Sequence, residues 1–143
     1  MRSLPAALAL ALSACGPPRT GPGEGGAVEG VWWVLESYTP FNTVERPNLP
    51  QGVVQWMTFS GGQYTSGGAT NRFGGAAPVT DVKIRFLVEW STFAAQDQFE
   101  RDYQSNLTGT RTFTATGDQL LLFDSANYQI TVFRASATDP TQM

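Results

Sequence analysis

The stretch Val82-Lys-Ile-Arg-Phe-Leu-Val-Glu-Trp90 decides the fold, because its residues alternate between apolar and polar side chains. Successive side chains of a β-strand point to opposite faces, so this alternation predicts one strand with a buried face and a solvent-exposed face. The residues predicted to be buried are Val82, Ile84, Phe86, Val88 and Trp90. Those predicted to face water are Asp81, Lys83, Arg85 and Glu89.

Short runs of β-branched and aromatic residues, separated by Gly, Asn and Asp, occur on both sides of this stretch. Such runs are typical of strands in β-proteins. Turn residues at Gly117-Asp118 and Ser125-Ala126-Asn127 separate the last three runs, which indicates a terminal antiparallel meander. The other predicted strands are residues 30–38, 53–59, 63–68, 110–116, 119–123 and 128–135. The sequence therefore predicts a mainly β domain of the α+β class.

One segment, Phe93–Ser105, has the period of a helix instead. Its narrow apolar stripe consists of residues at i, i+4 and i+8, namely Ala95, Phe99 and Tyr103. Asp97 lies four residues before Arg101, a spacing at which opposite charges stabilise a helix, and Thr92 or Ser91 is available as the N-cap. We therefore expect one helix in the domain.

The first 14 residues have the three parts of a secretory signal peptide: a basic start, an apolar core from Leu4 to Leu12, and small residues at the end. This core is too short to span a bilayer, which requires about 20 apolar residues. The stretch Leu12-Ser-Ala-Cys15 also fits the bacterial lipobox, in which a peptidase cuts before the cysteine and its thiol carries a lipid. The alternative is an ordinary signal followed by an incidental cysteine. We expect Cys15 to be an acylated N-terminus.

The residues after the cysteine predict a tether, since eight of the twelve residues from Gly16 to Ala27 are Gly or Pro. Such a composition buries too little apolar area to fold, and its random-coil reach is roughly 20 Å. The predicted organisation is a signal peptide at 1–14, a lipidated N-terminus and tether at 15–27, and one domain at 28–143. We expect a location in the cell envelope: the outer membrane of a Gram-negative organism, because Gly16 rather than Asp follows the cysteine, or otherwise the outer face of the plasma membrane.

The charge of the chain limits its partners. The whole sequence has 9 Lys and Arg against 12 Asp and Glu, and removal of residues 1–14 takes away Arg2, leaving 8 against 12, or −4. The sequence contains no clustered basic run, whereas binding to nucleic acid or directly to lipid headgroups relies on concentrated positive charge. We therefore expect no nucleic acid partner, and contact with the membrane through the lipid rather than through these charges. We also expect the domain to be monomeric.

Catalytic residues are scarce. The chain has no histidine and its one cysteine is assigned to the lipid, so neither Ser-His-Asp nor Cys-His pairs can form, and zinc sites built on histidine or four cysteines fail for the same reason. Two carboxylate pairs, Asp81 with Glu89 and Asp97 with Glu100, remain as candidates for glycoside hydrolysis. The second pair is better explained as part of an acidic, solvated face of the helix. We expect a protein without enzymatic activity, metal or cofactor.

The polar element with the most distinctive context is the corner Asn71-Arg72-Phe73, which precedes two glycines. In a structural interpretation, Asn71 adopts a left-handed backbone conformation and the Arg72 guanidinium ties loop carbonyls together. In a functional interpretation, Arg72 contacts an anion or another ligand. We expect the structural role.

Five stretches together resemble the META domain family of HslJ-like envelope proteins. The matching stretches, in the order of the family, are Gly30–Tyr38, Thr58–Phe59 with Gly62–Gly68, Asn71–Gly75, Ser91–Ala95 with Glu100 and Tyr103, and Gly117–Leu122. Thr70 and Ala95 stand where the family often has cysteines, so a disulfide between those positions is absent here. The resemblance implies an antiparallel sheet curled into an open or cracked barrel with one helix. It also implies a role in protein contacts, or in envelope stress and homeostasis.

A carrier of a small apolar ligand is the alternative function. Gly30-Val-Trp32 also matches the Gly-x-Trp start of lipocalins, whose barrels enclose apolar ligands. The tryptophans that could line such a cavity are Trp32, Trp33, Trp56 and Trp90. Aromatic residues on strands are more often core, so we expect these four to pack inside the domain.

Overall fold

The computed structural model describes residues 28–41, 43–68 and 70–142. The predicted signal peptide, Cys15 and the tether lie outside the described residues. The strands are β1 (Trp32–Tyr38), β2 (Trp56–Ser60), β3 (Gln63–Gly67), β4 (Phe73–Ala76), β5 (Val79–Thr80), β6 (Lys83–Ile84), β7 (Trp90–Ser91), β8 (Thr112–Thr116), β9 (Gln119–Phe123) and β10 (Gln129–Ser136). An α-helix, α1 (Gln98–Gly109), lies between β7 and β8, and a short 3₁₀ helix covers Pro140–Gln142.

All ten strands belong to one antiparallel sheet in the order β5-β6-β8-β9-β10-β1-β2-β3-β4-β7. The sheet is strongly curled, because β4 and β5 are separated in sequence only by Ala77 and Pro78 yet lie near its opposite ends. The order is open, with β5 and β7 at its edges, so the sheet is not a closed barrel. The prediction of a mainly β fold with one helix is confirmed.

The predicted strand Val82–Trp90 is only partly correct. Pairing is limited to β6 and β7, and between them the chain follows residues 74–78 through hydrogen bonds from Arg85, Leu87 and Glu89 backbone N–H groups. Ile84 and Phe86 are buried as predicted, whereas Val82, Val88 and Trp90 are about 40% exposed (40%, 38% and 44%). The alternation holds only in the middle of the stretch, because at β7 the chain becomes a sheet edge.

The helix starts later than predicted. Asp97, rather than Ser91 or Thr92, is the N-cap, and its carboxylate accepts a hydrogen bond from the Glu100 backbone N–H at 2.9 Å. The guanidinium of Arg101 donates to the Gln96 carbonyl and the Gln98 side chain instead of pairing with Asp97. The residues of α1 that pack into the core are Phe99, Tyr103 and Leu107, so the apolar stripe is one turn further along than predicted.

The core lies between the curled sheet and α1. Its largest fully buried side chains are Trp33, Tyr103, Phe73, Phe113, Phe133 and Met57. Tyr103 is central: its ring makes edge contacts with Phe73 of β4 and Phe133 of β10, and it stacks on Phe99 one turn earlier in α1. The helix thus joins strands from both halves of the sheet. Trp33 and Trp56 are core residues as expected, whereas Trp32 is half-buried and Trp90 is not core.

Two tyrosine hydroxyls are enclosed by this core. Burial raises the pKa of Tyr103, with its hydrogen bond to Ser66 acting in the opposite direction, and burial together with the charge of Glu89 raises the pKa of Tyr64. A phenol whose pKa is raised by folding keeps its proton in the folded state at a pH where the unfolded chain loses it. The contribution of Tyr64 and Tyr103 to stability is therefore complete at a pH below the pKa of tyrosine in the unfolded chain, and it declines at higher pH.

We expect the free energy of unfolding to fall as the pH rises above about 10, the pKa of tyrosine in an unfolded chain. The double variant Tyr64→Phe/Tyr103→Phe should lose much of this alkaline decline, although at neutral pH it costs about 1 kcal/mol for the hydrogen bond between Tyr103 and Ser66. Urea unfolding at a series of pH values measures both effects. An alkaline decline of equal size in the variant would contradict this assignment.

Candidate functional site

The side-chain amide of Asn71 connects three segments of the chain. It is 3% exposed, and its Nδ2 donates to the Ala94 carbonyl at 2.8 Å and to Glu100 Oε1 at 3.1 Å. Its Oδ1 accepts from Thr92 Oγ1 at 2.7 Å and from the Ala94 N–H at 3.0 Å. An amide has two donors and two principal acceptor positions, so all of them are used. We call this set of contacts the Asn71 link.

The link corrects the expectation for the backbone of Asn71. Among the described residues other than glycine, a positive φ occurs at Asp81 and Asn127, not at Asn71. Asparagine stands at position 71 because its amide satisfies buried polar groups, rather than because it tolerates a left-handed backbone conformation.

Glu100 does not face water, contrary to the prediction. It is 1% exposed, its Oε1 accepts from Asn71, and its Oε2 has no hydrogen-bond partner within the described structure. Asp97, the other member of this candidate pair, caps the helix through the backbone N–H of Glu100. With one carboxyl enclosed and the other used as a cap, this pair is not arranged for glycoside hydrolysis.

The other candidate pair is separated by the hairpin. Asp81 lies in the turn between β5 and β6, whereas Glu89 lies next to β7 and accepts a hydrogen bond from the Ala76 backbone N–H. Eight residues of extended chain at about 3.3 Å each place them about 26 Å apart. Hydrolysis needs the two carboxyl groups within about 10 Å, so this pair also does not form a site.

Arg72 is exposed, and its guanidinium does not tie loop carbonyls together as expected. Its carbon Cζ lies 5.5 Å from the centre of the Trp56 ring, and within the described residues no hydrogen bond of the guanidinium is formed. Only the backbone is held, since Arg72 N–H donates to Thr92 Oγ1 and its carbonyl accepts from the Thr92 N–H. Gly67 leaves room for this stack, because a Cβ there would lie 2.9 Å from Trp56.

The third residue of the corner, Phe73, belongs to the core. It is fully buried, and its ring contacts those of Tyr64 and Tyr103. The corner thus combines a buried amide, an exposed cation and a core ring. Arg72, Trp56 and Gly68 border a surface depression of about 410 Å³.

A buried polar network next to this corner was missed by the sequence analysis. Ser66 Oγ donates to the Trp56 carbonyl at 2.6 Å and shares a hydrogen bond of 2.7 Å with the Tyr103 hydroxyl. Gln55 Nε2 donates to the same Ser66 oxygen. These residues come from β3, α1 and the residue before β2, so no local pattern could have revealed the network.

Exposed apolar side chains are concentrated in one part of the chain. Among the described residues, five of the eight large hydrophobic side chains that are exposed lie in residues 82–93, which we call the edge segment. They are Val82, Leu87, Val88, Trp90 and Phe93. Phe93 is completely exposed, at 102%, and the ring of Trp90 lies against Gly74, where a Cβ would come within 2.9 Å.

A second surface depression is outside the sheet interior. It has a volume of about 540 Å³ and is bordered by Phe41, Val44, Tyr128 and Ile130 at the β9–β10 turn. The interior between the sheet and α1 is occupied by the core side chains. Among the described residues, no group of three or more Cys, Asp or Glu side chains is placed to hold a metal ion.

The fold and the site define a small antiparallel-sheet domain, curled around one helix, in which the most distinctive polar residues serve packing. The family model of the META domain matches residues 27–137. The chain therefore belongs to the META domain family, which is not a known enzyme family.

Two solved structures share the fold. A DUF4847 family protein from Bacteroides vulgatus is 14% identical, with a TM-score of 0.59, over 78% of this chain and 96% of its own. A protein from Burkholderia xenovorans solved by NMR is 20% identical, also with a TM-score of 0.59, over 87% of this chain and 96% of its own. The comparison with curated proteins gave no match.

We expect Asn71→Ala to destabilise the domain strongly. The change leaves Glu100 Oε1 and the backbone groups of Ala94 without their partner, and a buried polar group without a hydrogen bond costs about 1–3 kcal/mol. A loss of about 2–4 kcal/mol should lower the melting temperature by on the order of 10 °C, measured by circular dichroism.

Arg72→Ala is the matched control, since it changes the neighbouring residue but removes only an exposed contact with Trp56. That contact contributes about 0.5–1 kcal/mol, so Arg72→Ala should melt within a few degrees of the unchanged protein. Equal destabilisation by the two substitutions would show that the link is not centred on Asn71.

Proposed function

We propose that this protein is a non-enzymatic, lipid-anchored interaction protein of the bacterial cell envelope, with a role in envelope stress or homeostasis. The observation that carries the proposal is the exposed apolar surface at β7, formed by Trp90 and Phe93 on one edge of the sheet. Cys15 carries the lipid. The protein lies in the outer membrane of a Gram-negative organism, or on the outer face of the plasma membrane of a one-membrane organism.

Binding of a protein at β7 agrees with the physical character of this edge. A strand at the edge of a sheet presents unpaired backbone N–H and C=O groups to which an extended segment of another protein can add. Aromatic residues are enriched at protein interfaces, and large apolar side chains exposed together mark interaction sites. Trp90 is held in place by its contact with Gly74, so it presents a preorganised surface.

The lipid anchor rests on the lipobox and on the spacing that follows it. Twelve residues separate Cys15 from Val28, where the described domain starts, and eight of them are Gly or Pro. In the part of the chain that the structure describes, no helix is both long enough and apolar enough to cross a membrane.

The absence of catalysis is supported by what the candidate carboxylates do. Glu89 accepts the Ala76 N–H, Asp97 caps α1, and Glu100 belongs to the Asn71 link. Each of these groups has a local structural use.

A carrier of a small apolar ligand is a second candidate, favoured by the depression between Phe41, Val44 and Tyr128. Its volume of about 540 Å³ is within the range of small-molecule pockets. Native mass spectrometry of protein extracted in mild detergent distinguishes the two functions. A stoichiometric apolar ligand would favour the carrier, and a co-purifying protein would favour the interaction protein.

We expect Cys15→Ser to abolish lipidation. The variant lacks the thiol that receives the lipid, so it should accumulate as an unprocessed or soluble precursor that takes up no labelled fatty acid. Membrane fractionation and fatty-acid labelling measure the result. Processing and membrane association equal to those of the unchanged protein would contradict the anchor.

A photo-crosslinking amino acid in place of Phe93 should give a discrete protein adduct in living cells. The same amino acid in place of Tyr128, which is 70% exposed at the β9–β10 turn, is the matched control and should give none. Gel electrophoresis after irradiation detects the adducts. An adduct at both positions, or at neither, would argue against a partner at β7.

Phe93→Ser tests the same surface without an added reagent. Because Phe93 is fully exposed, its loss should change the free energy of unfolding by no more than about 0.5 kcal/mol. Co-purification of the partner captured through position 93 should nevertheless fall.

A further inference from the structure

Three cations that are separate in sequence come together on the outer face of the sheet. Lys83 and Arg85 project from β6 and the residue after it, and Arg111 precedes β8, which pairs with β6 through Lys83 and Thr112. All three are exposed, and with Pro78 and Thr80 they border a largely apolar depression of about 410 Å³. We call Lys83, Arg85 and Arg111 the basic face.

The basic face has no acidic partner in the described part of the chain. The ion pairs found there join Arg134 of β10 to Glu36 of β1 and to Asp118 in the β8–β9 turn. Arg111 donates to the carbonyls of Thr108 and Thr110 at the end of α1, which fixes its position without neutralising its charge. Two carboxylates lie nearby, and neither forms an ion pair with the basic face. Asp81 is in the β5–β6 turn, and Asp124, which follows the Phe123 carbonyl that accepts from the Arg111 N–H, itself accepts from the backbone N–H groups of Ala126 and Tyr128.

The basic face is close to the point at which the tether joins the domain. Gly62 N–H donates to Glu29 Oε2 at 3.3 Å, while the Gly62 carbonyl accepts from the Ala77 N–H at 2.8 Å. Glu29 is the second described residue after the tether, and Ala77 directly precedes Pro78, which borders the depression. One residue, Gly62, thus bridges the start of the domain and the border of the basic face.

We propose that the basic face binds the anionic headgroups of the bilayer to which the protein is anchored. This inference rests on the lipid anchor at Cys15 proposed above. A lipid and a tether reaching roughly 20 Å keep this end of the domain at the membrane surface, where Lys and Arg are attracted to headgroup phosphates. Arginine and lysine around an apolar depression match a headgroup phosphate and the glycerol below it, and one lipid combined with a basic patch gives stable anchoring.

The contact is tested with the full lipidated protein in vesicles. Because the thiol of Cys15 is used by the lipid, a cysteine introduced by Thr80→Cys is the one free thiol of the chain and takes a fluorophore next to the basic face. Phe93→Cys is the matched position, because backbone hydrogen bonds from Arg85, Glu89 and Thr92 run the edge segment along residues 72–78 and place position 93 on the order of 25 Å from Arg85. Lipids with a quencher in the headgroup region report proximity.

In vesicles of phosphatidylcholine mixed with phosphatidylglycerol, the label at position 80 should be quenched and the label at position 93 should not. Quenching at position 80 should be weak in phosphatidylcholine alone and should decline at about 1 M salt, where the Debye length is about 3 Å. The variant Lys83→Gln/Arg85→Gln should lower the ratio of membrane-facing to free orientations about thirty-fold. The control Arg46→Gln/Arg101→Gln removes the same charge elsewhere and should change quenching little.

Each other outcome overturns the proposal in an identifiable way. If the protein enters neither kind of vesicle and fractionates as Cys15→Ser does, both the lipid anchor and the membrane contact are ruled out. Equal quenching at positions 80 and 93 of the anchored protein would rule out the membrane contact alone. Fluorescence that responds to a soluble phosphate ester without vesicles, and not to anionic vesicles, identifies a small-anion site instead.

Discussion

The fold depends on a buried amide. The Asn71 link fixes Thr92 and Ala94, which follow the edge strand β7, and it also fixes Glu100 in the first turn of α1. These segments are more than twenty residues away from Asn71 in sequence, so no local hydrogen bond could place them. Once they are fixed, Phe99 and Tyr103 enter the core between β4 and β10. The amide satisfies groups that would be costly to bury unpaired, which is why a polar side chain occupies this position.

Local patterns predicted what depends on neighbours in sequence. Alternation correctly placed Ile84 and Phe86 in the core, and the meander from β8 to β10 followed from its turn residues. The same alternation was wrong for Val88 and Trp90, because the pattern predicts two faces but does not reveal where a sheet ends. The helix stripe was correct at Phe99 and Tyr103, but its start was misplaced because Asp97 was assigned to a charge pair rather than to the cap.

The candidate site was less predictable, because its chemistry depends on which distant segments meet. The sequence singled out Asn71 and Arg72 but reversed their functions: Asn71 binds the buried groups, and the guanidinium of Arg72 lies over Trp56. Glu100 looked solvated because its helical neighbours are polar, yet it is buried and accepts a hydrogen bond from Asn71. The cations of the basic face form no continuous run in the sequence, which is why the sequence predicts no binding to headgroups by the domain itself. The pairing of β6 with β8 brings them together.

The two proposed contacts occupy opposite ends of one segment. Lys83 lies near the start of the edge segment, beside the strands that reach the tether, whereas Phe93 follows β7, which pairs with the start of β4. Backbone hydrogen bonds from Arg85, Glu89 and Thr92 keep this segment extended along residues 72–78, so Lys83 and Phe93 are on the order of 30 Å apart. Membrane contact at the basic face would fix the orientation of the domain and would leave Phe93, at the other end of the segment, free to contact an envelope protein. A tether of Gly and Pro alone would leave that orientation free.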